Sequence, residues 1–398
     1  MTDRRKNGDS ESVRAVTKVE ALSTGISREV LIALHETEGV GRVTIAKALL
    51  HGAGQRPGSL RHSADFRAGD WRERGMTPRQ AAAVEHNMRP ESAERRRIRH
   101  AAGKMKIVTY LDDEYPELLY QISDPPWVLY YRGRLELLRN PAIAIVGTRV
   151  ATAYGRNAAG TLAEGCGSRM TVVSGLARGI DAAAHSGALR TEYGTIAVVA
   201  GGVDAIYPPE NKALYAEMAD RGLIVSESPP DTILRPGLFP LRNRIIAGLS
   251  FGVIVVEAAR RSGALITADL ALDYNRDVFV VPGQVSSPKS LGALEYFRKG
   301  AHPALDANDI FQAYHHRLPA FSSREKDDKD TGKKEMTENV VLSADELRIY
   351  QFILDQPCSV DELAVRSGMT FGLLHSVLLS LLIKRRIQQQ PGSVYHVL

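Results

Sequence analysis

Ala142-Ile-Ala-Ile-Val-Gly-Thr-Arg149 decides the fold. Five consecutive apolar residues run into a glycine turn, and an arginine follows it. The run lacks the alternation of a half-exposed strand, so it reads as a strand covered on both faces. The pattern recurs at Val172-Val173, Thr195-Ile-Ala-Val-Val199, Leu223-Ile-Val225, Val253-Ile-Val-Val256 and Val278-Phe-Val-Val281. Helical stretches separate the runs, at roughly 153–165, 180–189, 211–220, 242–249, 264–274 and 291–300. Strands alternating with helices predict an α/β domain, a Rossmann-like parallel sheet with helices on both faces, over residues 106–320.

The flanks read differently. Residues 1–25 are polar and are expected to be disordered. Leu31, Ile32 and Leu34, then Ile45, Leu49 and Leu50, follow a helical period on either side of Gly39-Val40-Gly41. Two helices across a Gly-x-Gly turn suggest a helix-hairpin-helix (SAM-like) module over 26–105. It is read either as a packing module or as backbone N–H groups offered to a phosphate. Residues 321–340 are a charged linker. In 341–398, Ser343-Ala-Asp-Glu is a capping box ahead of a first helix. A second helix follows from Val360 and a third from Thr370 to Lys384, then a hairpin across Pro391-Gly392. Three helices and a hairpin make a winged helix.

The chain of 398 residues carries 51 Lys/Arg against 46 Asp/Glu, too even for a charge-saturated DNA coat. The basic excess is N-terminal, with 20 Lys/Arg against 13 Asp/Glu in residues 1–105, partly in Glu94-Arg-Arg-Arg-Ile-Arg99. That run fits a solvated helix face first and a phosphate-contacting face second. Two cysteines, Cys166 and Cys358, have no Cys or His cluster beside them, which argues against a disulfide scaffold, zinc finger or iron–sulfur site. No apolar run reaches the ~18 residues of a membrane span, and the N-terminus lacks a secretory core. A cytoplasmic protein without membrane insertion is expected.

Sheets of this kind place ligands at the carboxyl ends of their strands. The residues just past those ends are Gly147 and Arg149; Ser174, Gly175, Arg178 and Gly179; Tyr207; Arg242, Asn243 and Arg244; and Ser262 and Gly263. Glycine lets a backbone approach a ligand, helix starts attract anions and arginine holds phosphate. Any one glycine here is explained by its turn. Arg149, Arg242 and Arg244 at one rim point to an anion. Tyr207, beside two prolines, offers a ring to a nucleobase.

No dinucleotide fingerprint follows the first strand, where the residues are Gly147-Thr-Arg-Val-Ala-Thr, and no Walker A loop or Gly-x-Ser-x-Gly elbow occurs. His185 lies on the helix after Asp181, within reach of the pocket or as a structural hydrogen-bonder. Asp181, Asp204, Glu227 and Glu257 form no evident acid–base pair. No constellation commits the domain to catalysis, and no cofactor or metal is implied.

Two long and specific strings are Phe239-Pro-Leu-Arg-Asn-Arg-Ile-Ile-Ala-Gly-Leu-Ser250 and Ser262-Gly-Ala-Leu-Ile-Thr-Ala268. With Ser174-Gly-Leu-Ala-Arg-Gly-Ile-Asp181, Tyr115-Pro116 and Asp124-Pro-Pro126, they make residues 110–305 resemble the DNA-processing protein A family (DprA/Smf). The resemblance implies a non-enzymatic protein. Such a protein binds single-stranded DNA, protects incoming strands, and loads the RecA recombinase in competition with single-strand-binding protein during natural transformation. It implies a homodimer. It also implies that Arg149 holds a phosphate beside a cradle of Gly147, Ser174 and Gly175, with Arg242 and Arg244 adding charge. One departure is Leu294, where the family usually has Asn. The third helix of the winged domain is poor in basic residues, so protein binding or weak duplex binding is expected there. Two other readings remain. One is a Rossmann-like nucleotide phosphoribohydrolase using Glu257 and Thr267, although its Pro-Gly-Gly-x-Gly-Thr loop is absent. The other is a regulator acting through the winged helix.

Overall fold

The computed structural model describes residues 18–50, 60–318, 343–356, 358–384, 386–390 and 394–397. The expected charged linker 321–340 and residues 1–17 of the expected disordered tail lie outside them. Within that expected tail, Lys18–Ser23 is helical. The chain divides into two compact units between Phe321 and Ser322.

The first unit is built on nine strands: β1 Lys106–Thr109, β2 Val128–Gly133, β3 Ala142–Val146, β4 Thr171–Ser174, β5 Thr195–Val198, β6 Leu223–Ser226, β7 Gly252–Val255, β8 Asp277–Val280 and β9 His302–Pro303. Their order is β1-β2-β6-β5-β4-β3-β7-β8-β9. The six runs anticipated from sequence are β3 to β8, all parallel to one another. The sheet is nonetheless mixed, because β2 joins β6 antiparallel and β1 joins β2 antiparallel. Every residue of β3 to β7 is buried. Each Val or Ile so placed contributes about 1.5–3 kcal/mol, which is why these strands read as unbroken apolar runs. The chain runs outward from β3 to β4, β5 and β6, then returns to place β7 on the other side of β3. That reversal opens a crevice at the carboxyl ends of β3 and β7.

Helices cover the sheet, among them Ala153–Cys166, Ile180–Ala188, Leu238–Gly248 and Gly263–Asp273. The expected helix at 242–249 starts four residues earlier, at Leu238. Pro240 sits in its first turn, where no intrahelical N–H bond is lost.

The N-terminal module includes helices Arg28–His35 and Arg42–Leu50 about the Gly39-Val40-Gly41 turn. Gly39 takes φ +80, a region that favours glycine, and Val40 packs inward. The module shares one apolar core with β1 and β2, Val30, Leu34 and Trp71 lying in the same cluster as Val108 and Leu129. Glu36 is sealed at this junction, where its carboxylate accepts from Tyr130 Oη at 2.7 Å and meets His100 Nε2 at 2.6 Å and Arg99. Burial pushes the Glu36 carboxyl up, and His100, Tyr130 and Arg99 together outweigh it, leaving it below the usual range. In the basic run, Arg99 meets Glu36 and Arg96 donates to the Asn87 carbonyl, while Arg97 pairs with Glu94 on the exposed face of its helix.

The second unit has helices Ala344–Asp355, Val360–Ser367 and Phe371–Ile383, with strands β10 Cys358–Ser359, β11 Ile387–Gln390 and β12 Val394–Val397 in the order β10-β12-β11. It is a winged helix, as expected. Ser343 caps the first helix and Glu346 reaches back to its N–H, closing the capping box. Leu373 and Leu379 of the third helix are exposed. Among the described residues, no single helix is long and apolar enough to cross a membrane.

Candidate nucleic-acid interface

Two adjoining depressions open at the carboxyl ends of the parallel strands. The first is bounded by Gly175, Arg178, Gly201 and Leu234; the second lies over the β3–β7 crevice, bounded by Gly147, Asp181, Ser262 and Thr267. Both share Arg149, Ala177, Tyr207, Phe239 and Arg242, which form the ridge between them.

Arg242 is the most constrained residue there. It is 7% exposed, and its Nη1 donates to the Val198 carbonyl at the end of β5. Its Nε has no hydrogen-bond partner. Burial lowers its pKa to about 10, against the support of Asp181. Asp181 is itself pushed up by burial and held down by Arg242 and by the Ala177 N–H. At about 10, Arg242 remains a cation at neutral pH, and its burial makes it under-solvated. An incoming anion would compensate that charge.

Arg149 is exposed, with its guanidinium 5.0 Å from the centroid of the Phe239 ring. Tyr207 is 43% exposed and its ring lies 5.6 Å from that of Phe239. Phe239 thus joins an arginine to a second aromatic ring, the cation–ring combination on which nucleobases stack. It was absent from the residues expected from strand ends. Its signal was position: three residues before Arg242, it shares that residue's helix face.

The glycines act by close approach. A Cβ on Gly147 would lie 2.6 Å from Ile180 Cγ1, and one on Gly179, at φ +77, would lie 2.8 Å from the Arg149 carbonyl. Gly179 precedes the helix Ile180–Ala188, whose first N–H bonds to the Thr148 carbonyl. Ser262 caps the helix Gly263–Asp273 and, with Gly263 and the half-buried Asn243, lines the second depression. Nothing crowds Gly263. Arg178 stands exposed at the rim, paired with Glu210 at 2.5 Å.

Two expected contributors are turned elsewhere. Ser174 is fully buried and donates to the Ile145 carbonyl, so its hydroxyl supports the sheet rather than the cradle. Arg244 is 3% exposed and faces away from Arg242, with its Nη2 2.6 and 2.7 Å from the two oxygens of Glu227 and its Nε 3.1 Å from Asp124 Oδ2. Residues two apart on a helix point about 200° apart, so only one of the pair can serve the rim. His185 is fully buried, with Nδ1 2.7 Å from Thr195 Oγ1 and Nε2 accepting from the Leu176 N–H. It is the structural hydrogen-bonder of the two readings. Glu257 accepts from the Thr152 N–H at 2.9 Å and from the Thr152 hydroxyl, at the start of the helix Ala153–Cys166. It does not line either depression.

Residues 106–315 match the family described as DNA recombination-mediator protein A, and residues 334–393 match the DprA winged helix domain. DNA processing protein DprA of Bacillus subtilis is 45% identical over 201 residues, half of this chain and 68% of that protein. Protein Smf of Synechocystis sp. is 35% identical over 323 residues, 74% of this chain and 81% of that protein. The X-ray structure of DNA processing protein A from Streptococcus pneumoniae superposes with a TM-score of 0.64 at 32% identity, covering 74% of this chain and 99% of that one.

Proposed function

The chain belongs to the DNA recombination-mediator protein A family, and on that premise we propose that it binds single-stranded DNA across the ridge formed by Arg149, Tyr207, Phe239 and Arg242. The single observation that carries this reading is the buried guanidinium of Arg242 beside the cluster of Arg149, Phe239 and Tyr207. Cations beside open rings suit a flexible strand, whose phosphates and unstacked bases are both available. A duplex hides its base faces. The residues proposed to contact DNA are Gly147, Arg149, Gly175, Arg178, Gly179, Tyr207, Phe239, Arg242, Asn243, Ser262 and Gly263. Backbone N–H groups and arginines take phosphate, and rings take bases.

The role is binding rather than catalysis. Glu257, the acid a phosphoribohydrolase would need, is occupied in capping a helix. As the family resemblance implies, the bound strand is protected and passed to RecA in competition with single-strand-binding protein during natural transformation, by a cytoplasmic homodimer. The test is a gel shift with single- and double-stranded oligonucleotides, with RecA filament nucleation followed in parallel. Preference for the single strand and faster nucleation are expected. Equal affinity for duplex overturns the pocket reading, and unchanged nucleation overturns RecA loading. Removing residues 341–398 should leave strand binding largely intact, which a regulator acting through the winged helix would not tolerate.

A further inference from the structure

The helix Leu238–Gly248 has two anchors on opposite sides. Arg242 ties it to the Val198 carbonyl, and Arg244 ties it to Glu227 and Asp124. Both acids that hold Arg244 are themselves held by the N-terminal module. Asp124 Oδ2 lies 3.1 Å from Arg42 Nη2 as well as 3.1 Å from Arg244 Nε. The Glu227 carbonyl accepts from His35 Nε2 at 2.8 Å. The Trp127 indole N–H donates to the Arg42 carbonyl, fixing the same segment from a third side. Arg42 lies outside the 106–315 region that matches the family, whereas Arg244 lies inside it.

We propose that Arg244 and Asp124 are positioning residues through which the N-terminal module sets the place of Arg242, and hence the affinity of the pocket for single-stranded DNA. The inference rests on the function proposed above. Arg244 is a buried cation, so losing either carboxylate forces a rearrangement rather than a local adjustment. Arg242 tolerates little rearrangement, because it lies against Gly175 with its Nη1 on the Val198 carbonyl. A slight rotation of the helix moves the guanidinium out of its slot. The arginine, acid, arginine, acid chain of Arg42, Asp124, Arg244 and Glu227 is therefore a mechanical link with no charge of its own to offer DNA.

The sign of one substitution separates this from simple electrostatics. Asp124→Asn makes the protein more positive, so attraction to a polyanion alone would tighten binding. The link predicts weakening, by about threefold to tenfold. Binding of a labelled single-stranded oligonucleotide to the full chain is measured for wild type, Asp124→Asn, Arg42→Gln, the charge-neutral double variant Arg42→Gln/Asp124→Asn, and Arg149→Ala. Weakening in Asp124→Asn with no recovery in the double variant supports the link. Wild-type or tighter binding by Asp124→Asn, with Arg149→Ala weakened, overturns it and leaves the pocket reading standing. Wild-type binding by Arg149→Ala removes the pocket reading, and the link with it. If Asp124→Asn does not fold, the charge-neutral Trp127→Phe, which removes the indole hydrogen bond to the Arg42 carbonyl, decides: severalfold weakening supports the link and wild-type affinity overturns it.

Discussion

The guanidinium of Arg242 occupies the space that a side chain at Gly175 would need: a Cβ there would overlap Nη1 and lie 2.5 Å from Cζ. The glycine after β4 is thus the floor of the arginine's slot. Gly175→Ala should expel Arg242 and weaken oligonucleotide binding about as much as Arg242→Ala does. The comparison is made by fluorescence anisotropy with both variants in one buffer, and wild-type affinity in Gly175→Ala would show that Arg242 needs no slot.

Arg149→Ala should weaken single-strand binding at low salt and flatten its salt dependence. Removing one cation from a phosphate lowers the log–log slope by about 0.7 for a single strand. A titration from low to high salt checks both quantities together, and a parallel offset without a change in slope would mean that Arg149 does not meet a phosphate.

Phe239→Ala should behave differently, losing affinity with little change in slope, since the ring contributes stacking rather than charge. The expected loss is about 1–3 kcal/mol, the range for one base–aromatic stack. Phe239→Trp should keep most of the affinity. Equal loss in both variants would point to packing under Arg149 as the ring's role.

His185 gives the first unit a pH limit. Burial holds the folded-state imidazole neutral, with its pKa lowered from 6.5 to about 3. The unfolded chain therefore takes up the proton first as pH falls. Stability from this site is complete above about 6.5 and is lost progressively between 6.5 and 3. Protonation would also set an N–H against the Leu176 N–H that Nε2 now accepts. Thermal melts at pH 7.5 and 5.5 should show a larger drop in wild type than in His185→Asn.

Glu257→Ala should lower the melting temperature, because the Thr152 N–H and hydroxyl lose their buried acceptor, a change of about 1–3 kcal/mol. The wild-type protein incubated with nucleoside monophosphates should release no free base by chromatography. Release that disappears in Glu257→Ala would restore the hydrolase reading.

The parallel core was legible because β3 to β7 bury every residue, and complete burial shows as runs of Val, Ile, Leu and Ala with only a Thr, Ser or Gly at their ends. The antiparallel β1 and β2 were not read. Lys106-Ile-Val-Thr109 is short, and β2 finds its partner in β6, from Tyr130 to Ser226, a long-range pairing without a local mark. At the site, reading strand ends collected Arg149, Gly175 and Tyr207 correctly into one place. It failed for Arg244 because chain proximity to Arg242 was taken as spatial proximity, where the helical period sends the two side chains apart. It missed Phe239 because that residue sits before the expected helix start and one turn behind the arginine it supports.

The borders of the nine-stranded sheet have a consequence for assembly. At one border β9 is two residues long and ends in Pro303, which has no N–H to extend a ladder. At the other, the guanidinium of Arg28 occupies the Ile107 carbonyl of β1. Neither border presents a free, regular row of backbone donors and acceptors to a further strand, so the sheet resists edge-to-edge growth into fibres. Strand addition across either border of this nine-stranded sheet is therefore disfavoured.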